Sequence, residues 1–299
     1  MCIVSAQTDI AVIDSANALP SLFDTLVGLP VDPPSLYLDL EGVNLGRHGS
    51  ISILSLYILP RKKIYLIDIH RLGKAAFSTT NSSATSLKTI LESPTIPKVI
   101  FDVRNDSDAL FSHYQISVDG MQDLQLMELA TRNGSRDFVA GLKKCIDKSS
   151  PVSTATKAEW LRTKEGTHRF NERPMRPETV QYCAQDVALL PGLYNVYNAK
   201  LRLPEKGYWE VEVQQATKDR IKLSQRPDYD GQAKTTVCGP WTKEYIEQAM
   251  DDWNEEVMDN ALHGEDDGPD EFELDLMYEA LNDEDFEDDH WDDHYEDKA

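Results

Sequence analysis

The chain has 299 residues, 40% of them hydrophobic, which is enough for one large domain with a buried core. Its formal net charge of −22 would be unusual for a nucleic-acid-binding protein, but the excess is local. Residues 251–299 hold 23 Asp or Glu and one Lys, whereas acids and bases balance in residues 1–250. No run of about 18 apolar residues occurs, which excludes a membrane-spanning helix.

The hydrophobic pattern predicts a mixed α/β fold. Strands are expected at residues 10–13, 36–41, 50–58, 63–69 and 98–103, with a further short strand at Val118. Helices are expected at residues 15–26, 85–91, 107–114, 124–130, 141–147, 177–201 and 215–224. Short linkers between the strands from residue 36 to residue 69 favour three antiparallel neighbours, and the nearly continuous apolar run at 98–103 is typical of a buried parallel strand.

Composition also divides the chain. We assign residues 1–204 to the α/β domain, 205–250 to a polar C-terminal appendage and 251–299 to an acidic, mostly disordered tail. Residues 270–282 could form an amphipathic helix on a protein partner. The tail could also compete with nucleic acid for the basic surface of the domain, and this competition would weaken as salt concentration rises. Alternatively, the tail could serve only to keep the protein soluble.

The cysteines and the N-terminus bear on localisation. Cys2, Cys145, Cys183 and Cys238 show no paired spacing, which argues against a zinc site or a disulfide framework. The N-terminus lacks the basic start of a signal peptide. We therefore expect an intracellular protein without a membrane partner, in the cytoplasm or the nucleus.

Two acids lie one residue apart in the predicted strand at residues 36–41. Because alternate side chains of a strand share a face, Asp39 and Glu41 are expected together, with Leu38 and Leu40 in the core. Carboxylates this close repel each other unless a cation intervenes, and Mg²⁺ or Mn²⁺ prefers such oxygen ligands. Alone, an Asp-x-Glu pair is more often an ordinary strand end in solvent.

Two later segments carry further acids. The segment at residues 98–111 predicts a strand that runs into a helix, with acids near the turn at Asp102, Asp106 and Asp108. The segment at residues 182–190 predicts a helix with Tyr182 and Asp186 four residues apart and therefore on one face. Taken singly, these residues are commonly surface acids and half-buried aromatics, so the whole set carries the signal.

Together the three motifs resemble those of the DEDDy branch of 3′-to-5′ exonucleases. The resemblance covers about residues 24–203 and is nearest to the ribonuclease D group and to the eukaryotic 3′-5′ exonuclease domain-containing proteins near Egalitarian. It implies a ribonuclease H-like sheet for residues 1–204 and hydrolysis of phosphodiester bonds at 3′ ends with two Mg²⁺ or Mn²⁺ ions. The chain departs from many relatives at Phe101, where they have His.

The resemblance also implies roles for the acids. The ions would be held by Asp39, Glu41, Asp106 and Asp186, and Tyr182 would orient the attacking water. In the second motif the match falls on Asp106, with Asp108 as second choice. Asp102 could equally cap the following helix.

Neighbouring residues are candidates for contact with the substrate. Leu40, Gly42 and Val43 would crowd the terminal base, with Gly42 permitting close backbone approach. Arg104 and Arg173 are candidate phosphate ligands, and Arg173 matches the Arg-Pro that introduces the third motif in relatives. Further candidates are Lys143, Lys144, Arg162, Lys164 and Arg169, for which solvated surface charge is the alternative.

Two functions fit this sequence. The first is an active 3′-5′ exonuclease, and the second is a catalytically silent nucleic-acid-binding or scaffold protein of the same fold. Every motif acid is present, which favours the enzyme. RNA is favoured over DNA by the resemblance alone, because no residue announces a contact to the 2′-OH that distinguishes the polymers.

Overall fold

The computed structural model describes residues 8–163, 169–203 and 206–263. The predicted helix at residues 270–282, most of the acidic tail and the candidate Lys164 lie outside the described residues. Among those that are described, no helix is both long and apolar enough to cross a bilayer.

A six-stranded mixed sheet forms the centre of the fold. Its strands are β1 (Asp9–Ile13), β2 (Leu36–Glu41), β3 (Ile53–Ile58), β4 (Lys63–Ile67), β5 (Lys98–Ile100) and β6 (Met121–Asp123). They lie in the order β1-β4-β3-β2-β5-β6. β2, β3 and β4 are antiparallel neighbours, whereas β5 and β6 continue from β2 in parallel and β1 pairs in parallel with β4. The predicted mixed sheet is therefore confirmed.

The described residues also form α-helices, several of which pack on this sheet. They are α1 (Leu19–Asp24), α2 (Ile69–Leu72), α3 (Ala75–Ser78), α4 (Leu87–Leu91), α5 (Val103–Tyr114), α6 (Leu124–Thr131), α7 (Leu142–Ser149), α8 (Thr154–Thr163), α9 (Pro177–Leu201), α10 (Gly207–Ser224) and α11 (Lys243–His263). The longest of the helices near the sheet, α9, packs on β2 and β3.

The two faces of β2 have different neighbours. Leu36, Leu38 and Leu40 enter the main hydrophobic core. Tyr37 alternates to the other face, where its ring centroid lies 6.3 Å from that of Tyr194 on α9. Since side chains alternate along a strand, the same face of β2 presents its two acids to α9.

The helix predicted at residues 107–114 begins earlier than expected. We predicted a start near residue 107, but α5 begins at Val103. The carboxylate of Asp123, at the end of β6, accepts hydrogen bonds from the backbone N–H groups of Asp102 and Val103 at 2.9 and 3.3 Å. The helix start is thus fixed by a residue about twenty positions away, which local pattern does not reveal. The strand expected at Val118 is instead β6, and α8 was not predicted.

The structure groups the C-terminal residues differently from the predicted boundaries. The first compact unit runs through Glu247, so residues 205–247 are not a separate appendage. Helix α10 packs on α5, α6 and β6 and buries Tyr208, Trp209, Val213 and Ile221. The tail is not uniformly irregular either, because α11 continues through His263.

Candidate active site

Three carboxylates converge where β2 faces α9. Asp39, Glu41 and Asp186 each place a carboxylate oxygen within 4.8 Å of the others. The first two are partly exposed, and Asp186 is buried. Strand periodicity brings Asp39 and Glu41 together, and the packing of α9 on the sheet adds the third acid from 145 positions along the chain.

Asp106 lies directly behind this cluster. Its Oδ1 accepts a hydrogen bond from the backbone N–H of Leu40 at 3.1 Å, between the two acids of β2. Burial raises the pKa of Asp106 well above its ordinary value, and the nearby charges of Asp39 and Asp102 raise it further. Asp106 is outside the group of three within 4.8 Å, but it belongs to the same electrostatic cluster.

Tyr182 lies one helical turn before Asp186. Burial raises the pKa of the Tyr182 hydroxyl, and the surrounding carboxylates of Glu41, Asp186 and Asp39 add to the effect. Its ring packs against Phe170, with centroids 5.8 Å apart. The hydroxyl therefore stays protonated and suits hydrogen bonding rather than proton removal.

Asp108 occupies a different environment from Asp106. Its Oδ2 accepts from the backbone N–H of Arg47 at 2.7 Å, and its Oδ1 pairs with Arg47 Nε at 2.8 Å. The same guanidinium donates to the carbonyls of Ser224, Arg226 and Pro227. Asp108 and Arg47 together hold the loop after β2 to the end of α10. Of the two acids, it is Asp106 that lies beside the cluster.

Trp160 is a site residue that the sequence reasoning missed. Its indole Nε1 donates a hydrogen bond to Oδ1 of Asp186 at 2.8 Å, and the side chain is buried. The donor comes from α8, 26 residues before its partner, and no local motif marks it. The only sequence sign was an isolated tryptophan in a basic stretch.

The three residues expected around the terminal base are placed differently from one another. Leu40 is in the hydrophobic core on the opposite face from the acids, so its side chain cannot crowd a base, although its backbone touches Asp106. A Cβ at Gly42 would lie 1.8 Å from the carbonyl oxygen of Ser50. The glycine is therefore needed for the close approach of the chain's own backbone at Ser50. Val43 is 48% exposed and stays a candidate.

The structure gives Arg104 internal partners in place of the expected phosphate contact. Its guanidinium forms two hydrogen bonds to the carboxylate of Asp102, at 2.6 and 2.7 Å, and donates to the carbonyl of Thr236 at 2.7 Å. The residue is buried, so these partners rather than a phosphate occupy its donors. Asp102, one of the second-motif alternatives, is thereby a partner of Arg104 and does not cap α5 through its side chain.

Arg173 is also tied into the fold. Its guanidinium pairs with both carboxylate oxygens of Asp68, and it donates to the carbonyls of Phe170 and Glu172. Nearby, Ser52 Oγ donates to Oδ1 of Asn171 at 2.6 Å. The Arg-Pro segment therefore anchors the chain that leads into α9 to the β3–β4 side of the sheet, and it acts on the site by placing Tyr182 and Asp186.

The donor set fits a divalent cation. All the converging ligands are carboxylate oxygens, which hard ions such as Mg²⁺ and Mn²⁺ prefer, and none of the residues in the cluster is a Cys or His. Several like charges in a partly buried site also need a counter-charge. Without a cation, burial and the charges of Asp39 and Asp102 raise the pKa of Asp106, which means that its charged form is disfavoured.

Comparison with known proteins assigns the family. The model of the 3′-5′ exonuclease family matches residues 10–202. The chain belongs to the 3′-5′ exonuclease family. Membership places it among hydrolytic exonucleases and confirms the resemblance inferred from the three motifs. The match begins in β1 and ends just after α9, so it contains every acid of the cluster.

Individual relatives agree with this family. The Bombyx mori piRNA biogenesis protein EXD1 is 26% identical over 168 residues, which are 55% of this exonuclease-family chain and 50% of the relative. The chain thus matches half the length of that relative. In the Trypanosoma brucei RNase D complex with RNA U12, the fold is shared at a TM-score of 0.64 and 18% identity, covering 83% of this chain and 80% of the other. Brucella melitensis NrnC with bound Mg²⁺ matches at a TM-score of 0.50 and 16% sequence identity, covering 76% of this chain and 99% of the other.

Proposed function

We propose that this member of the 3′-5′ exonuclease family is a metal-dependent enzyme that hydrolyses phosphodiester bonds at the 3′ end of nucleic acid, with RNA favoured over DNA. The observation that carries the proposal is the convergence of Asp39, Glu41 and Asp186 within 4.8 Å in the part of the chain that the family model matches. RNA is favoured because the structural relative with the higher TM-score is an RNase D in complex with RNA.

Each site residue has a distinct part in this proposal. Asp39, Glu41 and Asp186 would hold two divalent ions, with Asp106 supporting the cluster beside Asp39. The ions would supply charge stabilisation for the transition state and an activated water. Tyr182, as a neutral phenol, would orient that water by a hydrogen bond from or to its hydroxyl.

The protein also positions these groups before substrate arrives. The hydrogen bonds from Leu40 N–H to Asp106 and from Trp160 to Asp186 fix two of the carboxylates in orientation. Preorganised charges of this kind need little rearrangement during the reaction, which is the usual source of electrostatic catalysis.

The test is a time course on 5′-labelled single-stranded RNA and DNA of the same sequence, with Mn²⁺ or Mg²⁺ and with an EDTA control. We expect a ladder that shortens from the 3′ end, faster on RNA. Asp39→Asn should lower the rate by more than about 100-fold, the upper range for outer-shell partners of metal ligands. Asp219→Asn is the matched control, because that carboxylate is 58% exposed on α10 and outside the site.

A catalytically silent scaffold would give a different result. It would leave both polymers intact in every lane while wild type and Asp39→Asn bind RNA equally well. Loss of activity in Asp219→Asn to the same extent as in Asp39→Asn would also contradict the assignment, since it would show a general effect of charge or stability.

A further inference from the structure

A cavity lies between α7 and α8, outside the cluster of acids. Its volume is about 430 Å³, within the range of about 300–1,000 Å³ for small-molecule sites. We call it the lysine pocket; the lining residues that matter here are Lys143, Lys144, Ile146, Lys157, Trp160 and Leu161. No role in the proposed mechanism so far uses this cavity.

The charge of the lysine pocket is positive. Three lysines line it against one acid, Asp147. Lys157 Nζ already donates to the backbone carbonyl of Asp147 at 2.6 Å. Lys143 and Lys144 are exposed, and within the described ranges neither forms an ion pair. The pocket therefore presents two ammonium groups that remain available to an anion.

The position of these lysines is costly for the helix that carries them. Lys143 and Lys144 lie in the first turn of α7, which contains no acidic residue, and Gly141 at its start provides no side-chain cap. Cations are unfavourable next to the positive end of a helix dipole. Together with the cavity, this placement concentrates positive potential at the pocket instead of neutralising it.

Trp160 connects the lysine pocket to the acids. Its ring lines the cavity, and its Nε1 donates to Asp186 at 2.8 Å. One side chain thus separates the two sites. A strand whose 3′ end lies at Asp39, Glu41 and Asp186 would have its next nucleotides within reach of the pocket.

We propose that the lysine pocket binds an upstream nucleotide of the single-stranded substrate, with Lys143 and Lys144 on its phosphate and the apolar wall of Ile146 and Leu161 against its base or sugar. The inference rests on the proposed function for the identity of the strand. A positively charged groove with apolar surface is the general means of binding single strands without sequence preference. The pocket sets how many nucleotides the enzyme grips and thereby the shortest substrate it degrades well.

The experiment measures binding separately from hydrolysis. Full-length chain carrying Asp39→Asn is titrated with fluorescent single-stranded RNA and DNA of two to eight nucleotides across a range of salt concentrations. The test variant adds Lys143→Gln and Lys144→Gln. The matched control adds Lys222→Gln and Lys243→Gln instead, which remove the same charge from side chains that are 75% and 83% exposed.

We expect the pocket variant to bind at least about tenfold more weakly and to lower the slope of log affinity against log salt by about 1.4, the value for two lost phosphate contacts on a single strand. The affinity of the control variant should stay within about twofold of that of the Asp39→Asn parent. Its salt dependence should also be unchanged, because the two control lysines lie outside the path of the strand. Strands that contain 4-thiouridine should crosslink to the peptide that spans residues 141–161.

Several results would overturn the inference. One is equal binding by the pocket variant and the control variant. Others are crosslinks confined to peptides outside residues 141–161, or no binding of any strand. Loss of the crosslink in the presence of free GMP or UMP alone would also overturn it, because the pocket would then be a site for the product. If wild type hydrolyses the strands and any of these results is obtained, the proposed exonuclease activity stands and only the proposed role of the pocket is contradicted. If the pocket binds strands but wild type does not hydrolyse them, the proposed exonuclease activity is contradicted and the proposed role of the pocket stands.

Discussion

Hydrogen bonds from an indole N–H and a backbone N–H help to orient two carboxylates of this site. Asp186 accepts from Trp160 Nε1, and Asp106 accepts from the N–H of Leu40. Partners of metal ligands fix the ligand's orientation and usually affect metal affinity by about 10- to 100-fold. Trp160 is therefore expected to act as a positioning residue, through Asp186, without touching the substrate's reacting atoms.

Trp160→Phe keeps an aromatic ring but removes the N–H donor. We expect the Mn²⁺ concentration needed for half-maximal activity to rise by about 10- to 100-fold, with a smaller change in the strand's affinity. Calorimetric titration with Mn²⁺ should show the same weakening without any turnover.

Trp241→Phe is a matched control for this substitution. Its indole Nε1 also donates to a carboxylate, that of Glu212 at 2.9 Å, and its side chain is likewise buried. It should lower the melting temperature and leave the Mn²⁺ titration unchanged. If both variants shift the Mn²⁺ midpoint equally, Trp160 has only a general structural role.

Among the elements, helix α5 presents two acids to two different neighbours. Asp106 and Asp108 are two residues apart, so they project about 200° apart around a helix with 3.6 residues per turn. One reaches the backbone of β2 beside the acidic cluster, and the other reaches Arg47 in the loop after β2. Both are buried, so burial alone does not separate a site residue from a structural one.

The asparagine variants of these two acids should therefore fail in opposite ways. Asp106→Asn should lower exonuclease activity by more than about 100-fold, with the free energy of unfolding unchanged or higher, because it removes a carboxylate whose pKa is raised by burial and by Asp39. Asp108→Asn should lower the free energy of unfolding by up to about 3 kcal/mol, the lower end for a broken buried ion pair. Urea unfolding and initial rates on the same samples measure both.

The control for this pair is Arg47→Met, alone and combined with Asp108→Leu. The single change should destabilise the protein as strongly as Asp108→Asn, and the double change should recover part of the loss because no buried charge remains unpaired. A variant of Asp108 that is fully stable yet inactive would exchange the roles of the two acids.

Across the whole molecule, α10 completes the domain that carries the site. Arg220 on α10 pairs with Asp123 at 2.6 Å, and Asp123 in turn accepts from the backbone at the start of α5. Ser224 Oγ donates to Ser107 Oγ at 2.9 Å. The helix after the family match therefore supports the same segment that places Asp106.

A chain that ends at residue 203 should not fold cooperatively. It would expose the apolar surfaces of α5 and α6 and leave the fully buried Asp123 without Arg220, a loss of about 3–5 kcal/mol for the charge alone. A chain that ends at residue 263 is the control and should melt like the full-length protein. Circular dichroism and dye binding to exposed apolar surface distinguish the two, and a cooperative transition in the shorter chain would restore the predicted boundary at residue 204.

The longer truncation also tests the acidic tail. Removing residues 264–299 deletes 18 acids and one lysine. If the tail competes with nucleic acid, the shorter chain should bind single strands more tightly at low salt, and the difference should disappear as salt screens the charges. Equal affinity at low salt would contradict the competition.

The sequence by itself determined the features that depend on local periodicity. The alternation of a strand placed Asp39 and Glu41 on one face, and the helical repeat placed Tyr182 with Asp186. The order of those motifs identified the family, and short linkers indicated the antiparallel part of the sheet. The periodic features depend on neighbours within a few residues, and the order of the motifs is read directly along the chain, so both can be predicted from the sequence alone.

Only the tertiary structure decided the rest. It placed Asp106 beside the acidic cluster and Asp108 on Arg47, and it paired Arg104 and Arg173 with internal carboxylates. It also brought Trp160 to Asp186 and joined α10 to the domain. Each of these outcomes depends on which distant side chain satisfies a buried charge or hydrogen-bonding group. That requirement is strict once the chain is packed, but it has no spacing rule along the sequence.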